Sequence, residues 1–197
     1  RLGAAGLSRR YYFQNVNALS QWGTKYDAIL GNVADFHADV AAGKLPAVSM
    51  VEPKFSSHGV GNDDHPPADI RAGDAFLSSL YRALTAAPTW KSTVWIVTYD
   101  EWGGYFDHVA PPRVAAANVA DSDLVNGKAL LGFRVPTVVV SPFSRGAATK
   151  NRVNSLVCDH TSILKLIEWR WNLPPLSPRD ASDDIANLAH VLDFDHV

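Results

Sequence analysis

Residues 100–108 read "DEWGGYFDH", a crowd of acids, glycines and a histidine set directly behind the apolar run "STVWIVTY". Two adjacent carboxylates such as Asp100 and Glu101 repel each other unless a cation or a proton neutralises them, and a hard divalent metal with oxygen ligands does so. Gly103 and Gly104 let the backbone turn tightly or approach a ligand closely. Alternation along a strand would send the two acids to opposite faces, so their convergence requires the pleat to break at Glu101. A solvated strand-to-loop transition is the competing reading.

Two further stretches carry chemistry. "GNDDHPPAD" at 61–69 sets Asp63, Asp64 and His65 before a proline pair, whose stiff backbone holds the imidazole with little conformational freedom left to lose. Asp63 reads equally as a capped turn. "VCDHTSIL" at 157–164 puts Asp159 and His160 where a helix begins, and there the free N–H groups favour an anion. An Asp beside a His also fixes its tautomer, whereas in the plainer reading Asp159 is only a cap. Asp107 and His108 repeat the pairing ahead of Pro111 and Pro112, and turn formation explains them as well. His37, His190 and His196 are expected in surface or packing roles, with His58 undecided. Ser141 lacks a nucleophile elbow and is followed by Pro142, so it is no candidate nucleophile.

The elements that must position these groups follow from the apolar pattern. "AVSMVEP" (47–53), "STVWIVTYD" (92–100) and "VPTVVVSP" (135–142) are short, β-branched runs between breakers, the pattern of strands covered on both faces. They stop at Glu52, at Asp100–Glu101 and at Ser141; in a parallel sheet those ends would share one rim, where α/β proteins bind ligands. Helical stripes run from Tyr26 to Ala42, from Ala68 to Ala86 and over 159–172, the last capped by Asp159 or Thr161 and stopped by Pro174 and Pro175. A fourth, weaker stripe covers 182–192. Residues 53–67, 101–133 and 142–158 read as loops. Strands alternating with helices define an α/β class with a mostly parallel sheet flanked by helices.

At 197 residues the chain fits one domain. Lys and Arg number 18 against 20 Asp and Glu, a balance that argues against sequence-independent nucleic-acid binding. No apolar run is long enough to cross a bilayer, and no basic-then-apolar leader opens the sequence. The single Cys158 has no partner for an intrachain disulfide or a thiolate metal site and is expected in the core. The tryptophans of "IEWRW" are expected to pack.

The stretch running from "NDDHPPADIRAGDAF" to "VTYDEWGGYFDHVAPP", then "GFRVPTVVVSPFSRG", "CDHTSILKLIEWRW" and "LDFD" resembles the bacterial phosphoesterase family that includes non-haemolytic phospholipases C and certain acid phosphatases. The resemblance runs from near Leu2 to near Asp195. It implies an alkaline-phosphatase-like α/β fold and metal-dependent hydrolysis of a phosphate ester, with phospholipid among the substrates. By motif, Asp100 and Glu101 match metal ligands for a divalent ion, His65 and His160 match active-site histidines, and Asp64, Asp107 and His108 fall on the substrate side or just behind it. Secretion or a periplasmic location is expected on the same ground.

Two departures stand out. Trp102 occupies a position where family members often carry His. The family's Glu-Asn-Arg-Ser-Phe-Asp-like motif, and the Ser or Thr nucleophile after it, have no counterpart in these residues. The chain is therefore expected to be the C-terminal part of a single phosphoesterase domain, spanning 1–197, whose N-terminal half supplies the nucleophile. The rival expectation is a module without turnover that binds an anion or a partner protein.

Overall fold

A computed structural model describes residues 1–144 and 153–195. The expectation for His196 and part of the expected loop 142–158 fall outside the described residues. The chain divides into two compact units, residues 1–93 and 94–197.

The first unit is built on a three-stranded parallel sheet of β1 (Arg9–Phe13), β2 (Leu30–Asn32) and β3 (Val48–Val51), in the order β2-β1-β3. Tyr11 sits opposite Leu30 on one side and Met50 on the other. Helices α1 (Val33–Ala41) and α2 (Ile70–Ala86) flank it. The expected helix from Tyr26 is interrupted because Leu30–Asn32 pairs with β1, and α1 then starts with a capping box. The Asn32 side chain accepts from Asp35 N–H, and the Asp35 side chain accepts from Asn32 N–H. Sheet pairing thus overrides local helical preference at Leu30.

The core of this unit forms where Tyr12, fully buried, meets Phe36 edge to face at 5.4 Å, with Val40, Leu80 and Leu84 also buried. A phenol hydroxyl in such a place needs a partner, and Tyr12 Oη donates to Asp39 Oδ2 at 2.7 Å. Arg10 Nη1 donates to the same oxygen at 2.9 Å, and its Nη2 to Asp35 Oδ2 at 3.2 Å. The network ties the central strand to α1.

The second unit pairs β4 (Trp95–Thr98) with β7 (Thr137–Val140) and β5 (Arg113–Ala115) with β6 (Lys128–Leu130). Both pairs are antiparallel. Thr98 lies opposite Thr137 and Trp95 opposite Val140. Asp100 therefore follows one end of the ribbon and Ser141 the other, so these two do not share a rim as a parallel arrangement would have required. One face of the ribbon, with Val94, Ile96 and Val139, packs on Leu166 and Ile163 of α3 (Thr161–Trp171) and on Leu188 and Ala189. On the other face Val138 is 56% exposed, so this strand is not covered on both sides among the described residues.

Of the expected helix over 182–192 only a single turn at Leu188–Val191 forms, and the short helix nearby, α4 (Pro178–Ala181), ends before it. Ser177 and Asp180 cap α4 reciprocally, and the Asp184 carboxylate is drawn to Ala115 N–H (2.8 Å) and Lys128 Nζ (3.0 Å) rather than into a helix. Cys158 is exposed, not buried: it lies in the extended, exposed segment 153–158 ahead of α3. Trp169 is 55% exposed and stacks on Phe194 at 5.6 Å.

Burial, reinforced by the hydrogen bond to Asp39, raises the Tyr12 phenol well above its ordinary value. A raised folded-state value favours the neutral phenol, so its stabilisation is complete below the unfolded value near 10 and is lost as pH rises through the folded one. Tyr12→Phe is expected to cost about 1–3 kcal/mol near neutral pH. Urea unfolding should also show wild type losing its advantage over the variant as the pH is raised past about 10.

Candidate active site

The acid pair sits just past the end of β4. Because the ladder stops at Thr98, Asp100 and Glu101 lie in bends rather than in a pleat, and the break that convergence required comes even earlier than Glu101. Gly103 and Gly104 take φ values of 72° and 77°, the left-handed region in which glycine pays no steric penalty. Glu101 Oε2 accepts the Gly103 N–H at 2.9 Å, which fixes the turn. Asp100 is exposed.

The residue between β4 and the acids brings a second predicted group to the same place. His160 Nε2 lies 2.8 Å from the carbonyl oxygen of Tyr99. A carbonyl can only accept, so in the neutral ring Nε2 carries the proton and Nδ1 keeps its lone pair. The structure thus joins His160 to the neighbourhood of Asp100 across 61 positions of sequence.

His160 is held from behind. Asp159 Oδ1 accepts from Thr161 N–H (2.7 Å) and from Thr161 Oγ1 (2.6 Å), which caps α3. Its other oxygen faces Arg179 Nη1 at 3.6 Å, both side chains being largely covered, and Arg179 Nε donates to Ala115 O at 2.9 Å. Sequence reasoning gave Arg179 no role, because nothing in the chain near 179 signals that it reaches Asp159.

In the first unit, His65 Nδ1 lies 2.8 Å from Pro66 O. The same argument protonates Nδ1 and leaves Nε2 with the lone pair, on an exposed ring. Asp63 does the work of a turn: its Oδ2 accepts from Ser56 N–H at 2.6 Å. Asp64 adopts φ 60°, and its carboxylate lies on α2 against Gly73, where a Cβ would fall 2.1 Å from Oδ1. Glu52, which follows β3 where the sequence ends a strand, is only 7% exposed. Nearby a cavity of about 530 Å³ opens at the carboxyl ends of β1 and β2, lined by Gln14, Asn32, Asn62 and Phe76.

Asp107 is clamped by Arg134. Arg134 Nε donates to Oδ2 (2.7 Å) and Nη2 to Oδ1 (2.8 Å), and the N–H groups of Val109 and Arg134 complete a set of four donors at 3.1 and 3.3 Å. A carboxylate has about four lone-pair sites, so Asp107 is saturated. The Arg134 guanidinium, opposed by the cost of burial and helped by the two backbone donors, holds its carboxyl well below the usual range. His108 is exposed in the following bend.

Among the described residues no group of three or more His, Cys, Asp or Glu gathers as a metal site. The chemistry of Asp100 and Glu101 suits a hard cation, and Glu101 Oε2 is already hydrogen-bonded, so the pair fits as part of a ligand set and not as a complete one.

Comparison with known proteins puts this geometry in context. A sequence profile described as the phosphoesterase family matches residues 2–174, and the chain belongs to that family. It is 38% identical over 161 residues to non-specific phospholipase C6 of Arabidopsis thaliana, covering 74% of this chain and 30% of that protein. It is 39% identical over 153 residues to phospholipase C A of Mycobacterium tuberculosis, covering 71% and 28%. Over 188 residues it is 37% identical to a non-hemolytic phospholipase C of Pseudomonas aeruginosa, covering 83% and 24%. The chain thus spans less than a third of the length of these relatives, which are not confined to bacteria.

Gly73→Ala should expel the Asp64 carboxylate from α2 while adding only a methyl group to a helix that otherwise prefers alanine. Amide hydrogen exchange is expected to show segment 63–69 losing protection, with α2 itself unchanged or slower to exchange.

Proposed function

We propose that this chain contributes to a metal-dependent hydrolase of phosphate esters, of phospholipase C or acid phosphatase type. The observation that supports the reading is the hydrogen bond from His160 to the Tyr99 carbonyl, which ties an imidazole with a defined lone pair to the residue directly before two adjacent acids. Family membership and the phospholipase C relatives support the phosphoester as substrate class.

Asp100 and Glu101 would hold a divalent ion together with ligands from outside these residues. When bound, such an ion neutralises charge on phosphoryl oxygens and lowers the pKa of an attacking hydroxyl. The chain's own side chains do the rest. In the tautomer fixed by Tyr99, His160 offers Nδ1 to accept a proton or a ligand bond. His65 offers Nε2 in the same way, and the resemblance assigns Asp64, its neighbour in sequence, and His108 to the substrate side. The nucleophile is proposed to lie in a further part of the enzyme, N-terminal to these residues by the family resemblance, a reading consistent with coverage of at most 30% of the named relatives. Kinship also carries the expectation of export from the cytoplasm; none of the described helices is long and apolar enough to cross a membrane.

The test uses p-nitrophenyl phosphate and p-nitrophenyl phosphorylcholine, with and without added Mg, Mn, Ca or Zn, on this chain and on a version extended at its N-terminus. Turnover is expected only from the extended protein with metal. Asp100→Asn combined with Glu101→Gln should lower its kcat/KM at least about a hundredfold. Unchanged metal-dependent turnover in that double variant would remove the two acids from the site.

A further inference from the structure

Beyond the last paired residues, Thr98 and Thr137, the ribbon of β4 and β7 keeps its register through side chains. Thr98 Oγ1 lies 2.7 Å from Thr137 Oγ1. Pro136 then falls opposite Tyr99 and has no N–H with which to extend the ladder. Carried further, the same register sets Asp100 opposite Val135, Glu101 opposite Arg134 and Trp102 opposite Phe133. The last of these pairs is a contact. The two rings meet edge to face at 5.5 Å, and Trp102 also borders Gly132, where a Cβ would stand 3.8 Å from its ring. The two chain segments therefore stay side by side past the end of the ladder, and the acid pair lies between one anchored position and the next.

That register offers Arg134 a carboxylate it does not take. Residues directly opposed across an antiparallel pair have Cβ atoms about 5 Å apart, and opposite charges there attract. The planar fork of an arginine also matches the two oxygens of a carboxylate. On Glu101 it would neutralise the acid pair with the protein's own cation and leave a divalent one little to bind. Arg134 turns instead to Asp107, whose other lone pairs are filled by the N–H groups of Val109 and of Arg134 itself. Because that carboxyl is held well below the usual range, it stays charged and keeps the arginine wherever the acid pair is ionised. Glu101 accepts from the Gly103 N–H, a neutral donor that brings no charge to the pair.

We propose that Asp107 is a positioning residue that holds Arg134 away from Glu101, so that Asp100 and Glu101 stay free of an internal cation and open to a divalent ion. The inference rests on the metal-dependent reading above and deepens it. The Asp-His motif at 107–108 then contributes through the placement of one guanidinium, and Asp107 itself touches neither metal nor substrate. Bracing of the loop falls to other contacts: Trp102 and Phe106 each pack on Phe133, at 5.5 and 5.9 Å.

Titration of the N-terminally extended protein with Mn²⁺, followed by the paramagnetic resonance signal of the free ion, tests this. Asp107→Asn should weaken Mn²⁺ binding at least about tenfold, because an amide holds the fork poorly and the guanidinium moves to Glu101. Arg134→Gln breaks the same clamp from the other side and should stay within about threefold of wild type. Asp107→Asn combined with Arg134→Gln should recover wild-type affinity to about the same margin. A clamp that only braced the loop would weaken both single variants alike and the double variant no less. Arg134→Lys keeps the charge without the fork and should bind Mn²⁺ more weakly than Arg134→Gln, the reverse of the order a brace would give; this comparison decides if Asp107→Asn does not fold. The metal-free crystal structure of Asp107→Asn should show Arg134 on Glu101. Undiminished Mn²⁺ affinity in Asp107→Asn, a double variant as weak as that single one, Arg134→Lys binding at least as tightly as Arg134→Gln, or Arg134 remaining off Glu101 in that structure would each overturn the inference. If the wild-type protein takes up no Mn²⁺, the metal-dependent reading falls by itself, and the place of Arg134 in the metal-free structure still upholds or overturns the hold of Asp107.

Discussion

A single hydrogen bond, from the ring of His160 to the carbonyl of Tyr99, ties the start of α3 to the end of β4 in the second unit. It forms only because β4 gives up its ladder at Thr98, and because α3 starts one residue after His160 so that the ring reaches back to the strand's end. A backbone carbonyl is the most dependable orienting group available: it cannot be protonated at ordinary pH, has no rotamer of its own and accepts without donating. The acids that follow inherit that fixed point, since Asp100 is bonded directly to the residue that supplies it.

The same economy recurs through the molecule. Several of the acids that look catalytic in the sequence are occupied by their own surroundings. Asp63 binds the Ser56 amide, Asp159 caps α3 and faces Arg179, and Asp107 is filled by Arg134 and two backbone amides. Their ionised oxygens are satisfied where they stand, which offsets the cost of keeping each carboxylate charged in its own surroundings. Next to them stand His160, adjacent to Asp159 in the chain and oriented by the Tyr99 carbonyl, and Arg134, oriented by Asp107.

The alternation of strands and helices, the three long helices and the motif families around residues 65, 100 and 160 were legible in the sequence because each leaves a local signature of periodicity, cap or breaker. β1 and β2 were not, because "RRYYF" and "LGN" acquire strand character only by pairing with each other. The antiparallel sense of β4 and β7 was equally hidden: a continuous β-branched run reads the same in either direction. Asp107 illustrates the limit at the site. The dipeptide Asp-His proclaims chemistry, yet the atom that decides its role is the Arg134 guanidinium, 27 positions away and recorded in no local pattern. Arg179 is a similar case, reaching Asp159 from beyond the residues that carry the family match.

Backbone carbonyls choose which ring nitrogen of His65 and of His160 keeps its lone pair. Long-range proton–nitrogen correlation spectra of the chain labelled with 15N-histidine, recorded where the rings are neutral, read that choice directly. The account predicts the Nε2–H form for His160 and the Nδ1–H form for His65. Finding His160 with its proton on Nδ1, or both rings in the tautomer mixture of free imidazole, would contradict it.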